Sequence, residues 1–179
     1  YEREQAMRQL REIQENSRQA AQMAVVTGRR RSGKTQLILK ATEGVPTLYF
    51  FIARKAESLL CSEFAEQIQE KLGLTSVGDA TDFRTLFKAL MAASKEQTFN
   101  VIIDEFQEFN TINANIFTDL QSLWDRNKDR SRICLFLLGN SNAQTTRIFD
   151  GAHAPLNGRV TNWIKLENFS TPTLKKILK

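Results

Sequence analysis

Histidine and cysteine are almost missing from this sequence. His153 is the only histidine, and Cys61 and Cys134 are the only cysteines among 179 residues. A Ser/His/Asp triad or a tetrahedral zinc site has little to build on. The two cysteines stand far apart in apolar surroundings. They read as small buried hydrophobes of a reducing compartment, which fits a cytoplasmic location, and not as a disulfide. No apolar run approaches the ~20 residues of a membrane span, so a membrane is not an expected partner. The N-terminal stretch "YEREQAMRQLREIQE" is polar and helix-like, unlike a signal peptide. Internal repeats and low-complexity segments are absent as well.

What is present is ordinary in bulk and specific in detail. The chain is 41% hydrophobic and 25% charged, enough for one compact domain with a real core. A formal net charge of +5 and a pI near 9.4 point to an anionic partner, with nucleotide and nucleic acid both open.

Segments of strand and helix character alternate. Residues 2–22 are polar with helical spacing, "MAVVT" (23–27) reads as a buried strand, and a helix follows from about Gly33. "TLYFFIA" (47–53) is a second strand, and "AESLLCSEFAEQIQEKLG" (56–73) a helix with a Gly stop. "DFRTLFKALMAASK" (82–95) is an amphipathic helix with Asp82 as N-cap. "FNVIIDE" (99–105) is a third strand, "NANIFTDLQSLWDRNK" (113–128) a helix, "RICLFLLG" (132–139) a fourth strand and "NWIKLE" (162–167) a fifth. Strands this apolar belong in a mainly parallel sheet covered on both faces, an α/β fold of three layers. The segment 139–161 is a loop of unassigned structure at a strand end, a common place for function.

Residues 28–35, "GRRRSGKT", satisfy G-x-x-x-x-G-K-[ST], the Walker A pattern. Its glycines let the backbone turn tightly around a triphosphate, and the next helix adds its positive N-terminus. Gly28, Arg29, Arg30, Arg31, Ser32, Gly33, Lys34, Thr35 and Gln36 are the candidate nucleotide-binding residues. Lys34 would reach the β- and γ-phosphates and Thr35 would hold Mg²⁺. The side chains of Arg29, Arg30 and Arg31 have two readings, a solvated rim or a contact with nucleotide, a neighbouring subunit or nucleic acid.

"VIIDEF" supplies the acidic half of the site, a Walker B pattern. Asp104, at the end of a buried strand, would hold Mg²⁺ through water. Glu105 would activate a water for attack on the γ-phosphate. A solvated pair of acids at a strand end is the plainer alternative. The guanine-specifying N-K-x-D motif is absent. The fourth strand ends "LLGNSN", where Asn140 first and Ser141 second are placed to bond the attacking water or the γ-phosphate. A simple Gly-Asn-Ser turn is the alternative.

Together "GRRRSGKT", "VIIDEFQEF", "FLLGNSN" and "APLNGR" resemble the archaeal-type P-loop ATPases, a group within or close to the AAA+ and STAND ATPases. "YEREQAMRQL" is similar to that family's N-terminal segment, and the resemblance runs from about Tyr1 to Ser170. It implies a five-stranded sheet in 5-1-4-3-2 order, with ATP and Mg²⁺ as cofactors. It places Lys34 and Thr35 on phosphate and metal, Asp104 on metal, Glu105 as base and Asn140 or Ser141 at the sensor position. Arg159, in "PLNGR", matches a family arginine that would reach the γ-phosphate of its own or a neighbouring site, which would make self-association relevant; a surface arginine is the alternative. Glu2 stands where the family often has Gly, and Asn140 where it often has Ser. The family continues into a helical lid and often an effector domain. Residues 1–170 would then be the ATPase core and "TPTLKKILK" (171–179) the start of a lid.

The expected function is Mg-dependent ATP binding and hydrolysis by a switch or motor module of a larger protein. A missing arginine finger alone costs about 10³–10⁵ in rate, so slow turnover by the domain itself is compatible. The alternatives are an ATP-binding regulatory module without turnover, a nucleic-acid-associated ATPase and, less favoured because of Glu105, a metabolite kinase.

Overall fold

A computed structural model describes residues 2–29, 33–140, 143–151 and 153–166. The order along the chain is α1 (Glu2–Asn16), β1 (Gln22–Gly28), α2 (Lys34–Ala41), β2 (Thr47–Phe51), α3 (Glu57–Leu72), α4 (Phe83–Ala93), β3 (Phe99–Asp104), α5 (Phe109–Ile112), α6 (Ile116–Asn127), β4 (Ile133–Gly139), α7 (Ala143–Phe149) and β5 (Asn162–Leu166). The strands form one sheet ordered β2-β3-β4-β1-β5. Every pairing is parallel. This is the expected order read from the other edge, and the expected three-layer α/β architecture.

Period-two alternation divides the strand side chains between two cores. Met23, Val25, Leu48 and Phe50 face the layer of α3, α4 and α6, where they meet Phe64, Leu90 and Trp124. Ala24, Val26, Ile102 and Phe136 face α1 and α2, where they meet Leu10, Ile13 and Ile38. Covering both faces explains why β3 and β4 are buried at every position; parallel strands covered on both faces need continuous apolar runs. Each such Leu, Ile or Phe contributes about 1.5–3 kcal/mol by leaving water. Cys61 and Cys134 are free and buried among these side chains. Burial pushes the Cys61 thiol up to about 12, with Glu57 and Asp82 adding to the shift.

Several boundaries differ from the sequence expectation. The second strand ends at Phe51 instead of residue 53, because Ala53 and Lys55 turn back by short-range backbone bonds. The helix expected from residue 113 starts at Ile116: Asn113 caps the short α5, and its Oδ1 accepts from the Asn115 amide. The segment 139–161 contains α7, which its short and polar sequence concealed. The expected lid start, 171–179, and Glu167 lie outside the described residues. Among the described residues no helix is long and apolar enough to cross a membrane.

Candidate functional site

Parallel strands put all their C-terminal ends on one side, and the register brings three of them together. Thr27 of β1 stands beside Gly139 of β4, and Asp104 of β3 beside Leu138. The segment leaving β1 enters α2 through Gly33. Its φ of 80° lies in the left-handed region, which glycine adopts without a Cβ penalty. A Cβ there would also lie 3.8 Å from the Arg3 guanidinium of α1.

Lys34 opens α2 and is only 6% exposed. Among the described residues no carboxylate forms an ion pair with it. A buried ammonium without an anion is costly, and here it lies at a helix N-terminus, where backbone amides already favour negative charge. Gly28 is buried at the end of β1, whereas Arg29 and Gln36 are exposed. Arg30, Arg31, Ser32 and Ser141 lie outside the described residues.

The Thr35 hydroxyl donates to Asp104 Oδ2 at 2.9 Å. Residues 69 positions apart in the chain are thus joined at the mouth of the sheet. This geometry suits a divalent cation, because a hydroxyl that spends its proton on a carboxylate keeps its lone pairs for a metal. Asp104 Oδ1 accepts the Glu105 amide at 2.9 Å. Glu105 itself has φ 57° and ψ 41°, the one non-glycine residue at positive φ among those described. Gln107 Nε2 donates to Glu105 Oε2 at 2.6 Å. Beyond β4, Asn140 Oδ1 is buried without a hydrogen-bond partner among the described residues. A buried acceptor of this kind calls for a donor.

Two contributors went unrecognised in the sequence. The Tyr49 hydroxyl, from β2, donates to the same Asp104 Oδ2. Burial first, and then the bond to Asp104, raise the Tyr49 pKa well above its ordinary value, so the hydroxyl keeps its proton. In sequence, "LYFF" reads as core; alternation alone sets Tyr49 on the face opposite Leu48 and Phe50, and the register with β3 was needed to aim it at Asp104. The second is Gly139. A Cβ there would come within 2.7 Å of Gln107 Oε1 and 2.8 Å of Phe106, so β4 approaches the Glu105 turn only because that position is glycine.

Arg159 does not join this group. Its guanidinium donates to both oxygens of Asp125 on α6, at 3.1 and 2.7 Å, and holds the Asp125 carboxyl below its ordinary range. Two residues later Thr161 bonds Met23, at the N-terminal end of β1. Six residues of strand, roughly 16–20 Å at ~3.3 Å each, separate that end from the phosphate loop.

Beside the loop, α1 and α2 enclose a cavity of about 730 Å³. Met7 and Leu37 give it apolar walls, Gly33 and Gln36 face it from the loop side, and Arg3, Arg8, Arg11 and Lys40 line it with Glu4 as the one acid. The arrangement as a whole gathers the buried Lys34, the Thr35–Asp104 pair and the Glu105 carboxylate at one end of the sheet, beside a cavity with apolar walls and an arginine-rich lining.

Known proteins share this architecture. The Walker-type ATPase PABY2304 of Pyrococcus abyssi superposes with a TM-score of 0.71 at 19% identity, covering 95% of this chain and 55% of the other. The ORC2 protein of Aeropyrum pernix, solved in ADPNP and ADP complexes, gives 0.72 at 18% identity over 97% and 49%. The ORC1 protein of the same organism, solved with DNA, gives 0.63 at 16% over 98% and 48%. At these identities the likeness is one of fold. A Methanocaldococcus jannaschii protein, MJECL04, is 26% identical over 152 residues, which are 85% of this chain and 32% of that protein. The chain therefore spans about a third to a half of the length of these relatives. The family described as an ATPase domain predominantly from Archaea matches residues 1–179, and with the fold, the phosphate loop and the acidic strand end in agreement, this chain belongs to that family.

Proposed function

We propose that this chain binds Mg-ATP at the mouth of β1, β3 and β4 and hydrolyses it, as the nucleotide-driven module of a longer protein. The observation that carries the reading is the Thr35–Asp104 hydrogen bond of 2.9 Å next in sequence to a buried Lys34 that forms no ion pair among the described residues. Lys34 and the α2 N-terminus supply positive charge for the β- and γ-phosphates. Thr35 and Asp104 would hold Mg²⁺, which when bound neutralises charge developing on the phosphate oxygens. Gln36, Met7 and Leu37 offer the adjoining pocket for the base and ribose.

Glu105 takes a proton from the attacking water as its oxygen bonds to the γ-phosphorus, and the bond to the β-phosphate oxygen breaks, giving ADP and phosphate. The Asn140 amide, whose Oδ1 has no partner among the described residues, orients that water or a γ-phosphate oxygen. Arg159 belongs to this scheme only through a neighbouring copy, since its own chain pairs it with Asp125. The exposed Arg29 and the arginine-lined face of α1 are the features available to nucleic acid.

Calorimetric titration with Mg-ATP tests the reading. Lys34→Ala should weaken binding by roughly 10–100-fold, the value of a charge-assisted contact. Glu105→Gln should retain binding while turnover falls about 10²–10⁴-fold. Unchanged turnover in Glu105→Gln would remove Glu105 from the role of base. Intact binding with no turnover in the wild type would favour the regulatory module that binds without hydrolysing.

A further inference from the structure

Asp104 is more fully engaged than a metal-bearing carboxylate needs to be. An ionised carboxylate has about four lone-pair sites. Three are occupied by donors from this chain: Thr35 Oγ1 and the Tyr49 hydroxyl on Oδ2, and the Glu105 amide on Oδ1. Among the described residues nothing donates to the fourth, on Oδ1. Of the three donors, two come from the phosphate loop and from the strand end that carry the site already described. Tyr49 comes from elsewhere.

Its own placement is equally determined. β2 is an edge strand, and an edge residue leaves a backbone N–H and C=O without a ladder partner. At Tyr49 the side-chain amide of Gln67, on α3, takes both. The Gln67 Nε2 donates to the Tyr49 carbonyl at 2.7 Å, and the Gln67 Oε1 accepts the Tyr49 N–H. Gln67 thus replaces the missing sixth strand at this one residue. Opposite it, Tyr49 is paired with Ile102 in the ladder, two residues before Asp104. A long side chain at that diagonal reaches its neighbour two positions on, and the ring packs against the α1–α2 core on the way. Backbone, ring and hydroxyl are each fixed.

We propose that Tyr49 is a positioning residue of the metal site: held at the sheet edge by Gln67, it fixes the Asp104 carboxylate so that a single Oδ1 lone pair faces the water shell of the cation. The inference rests on the Mg-ATP reading above. It makes α3, on the opposite face of the sheet, part of the support for the site. It also separates Tyr49 from the ordinary core aromatics around it. A phenylalanine would fill the same volume without donating.

The test uses the non-hydrolysable analogue AMP-PNP, titrated by calorimetry in excess Mg²⁺ and again in EDTA, with melting by circular dichroism as control. In the wild type, Mg²⁺ should strengthen binding, and Lys34→Ala should weaken it by roughly 10–100-fold in both conditions; failure of either result would overturn the Mg-ATP reading itself. With that reading in place, Tyr49→Phe should reduce the Mg²⁺ enhancement about tenfold, as expected for one lost hydrogen bond to a charged group. Its affinity in EDTA should stay within about twofold of wild type. Gln67→Leu should shift the enhancement in the same direction by a smaller factor, and it decides the question if Tyr49→Phe fails to fold. Competition of Mn²⁺ for the ternary complex, followed by electron paramagnetic resonance, should show the same weakening without reference to turnover. An unchanged enhancement, or an equal loss in EDTA and in Mg²⁺, would reduce Tyr49 to a packing residue.

Discussion

Glu105 combines the carboxylate proposed as the base with a backbone that an L-residue avoids. At φ 57° and ψ 41° its Cβ crowds the following carbonyl, a conformation that costs roughly 1–2 kcal/mol. Two contacts hold it there: the Glu105 amide on Asp104 Oδ1 and the Gln107 amide on Glu105 Oε2. The strain is tied to the position, so it should outlast removal of the carboxylate. Glu105→Gly is therefore expected to be more stable than Glu105→Ala by about 1 kcal/mol, the reverse of the usual order of these residues. Urea denaturation of the two variants measures this directly, and an Ala variant equal to or above the Gly variant would show that the turn is unstrained. At this scale the sequence was informative about identity and silent about conformation. "DE" after four β-formers pointed to the two acids, and G-x-x-x-x-G-K-T to Lys34 and Thr35. It gave no sign that Glu105 would be left-handed, because that follows from a strand forced to turn directly into the 3₁₀ turn Phe106–Glu108. Nor could it single out Tyr49 from its aromatic neighbours.

Among the elements, α4 was the most legible. Apolar residues at 83, 86, 87, 90 and 91 make one buried stripe, and Asp82 accepts from the Thr85 amide at 2.7 Å as an N-cap should. That amide lowers the Asp82 pKa. A carboxyl whose folded pKa is depressed stabilises above its unfolded pKa, near 3.9, and that contribution disappears as pH falls through the folded value. Asp82→Ala should cost about 1 kcal/mol at neutral pH, and the difference from wild type should narrow progressively in melts taken as pH falls below about 4. A gap that persists in acid would assign the loss to packing. The junction of β4 with the turn after β3 could not be read in this way. Gly139 looked like a turn residue; its real constraint is the 2.8 Å that separates a Cβ there from Phe106, a contact known only from the strand order. Gly139→Ala should cost about 1–3 kcal/mol by overpacking. Because the displaced neighbours are Phe106 and Gln107, turnover should fall more than AMP-PNP affinity. Equal losses in both would mean that the strain spreads to the phosphate loop instead. Besides the start of α6, short or edge elements were the ones misread: α7 has too few turns to show a period, and β2 stops early because an edge strand can leave the ladder on one side without breaking a second one.

At the scale of the whole molecule, strand order does what no single motif can. Thr35 follows β1 in the chain and Asp104 ends β3; their side chains meet at one end of the sheet, across the end of β4, because all three strands run in the same direction. The alternation of apolar strands with amphipathic helices was enough to anticipate a mainly parallel sheet covered on both faces; the order of its strands was implied only by the family resemblance. Neither could show that the "PLNGR" arginine would fold back on Asp125 near the opposite end of the sheet. A site assembled from distant segments makes nucleotide binding a property of the folded state alone. The unfolded chain keeps its net charge of +5 but loses the convergence of α2, β3 and β4. Mg-ATP at a hundred times its Kd should then add about 2.7 kcal/mol of stability. For a chain of this length that is a rise of roughly 5–10 °C in melting temperature. Glu105→Gln should show the same rise, because it keeps the proposed phosphate and metal contacts, and Lys34→Ala, with its roughly 10–100-fold weaker binding, should keep only about 0.4–1.4 kcal/mol of that stability. ATP held merely by exposed arginines would bind the folded and unfolded chains alike, would respond to added salt, and would be indifferent to Lys34. A Lys34→Ala variant that melts with the full wild-type rise would therefore reassign the loop as a basic turn, and with it the anion that this charge attracts.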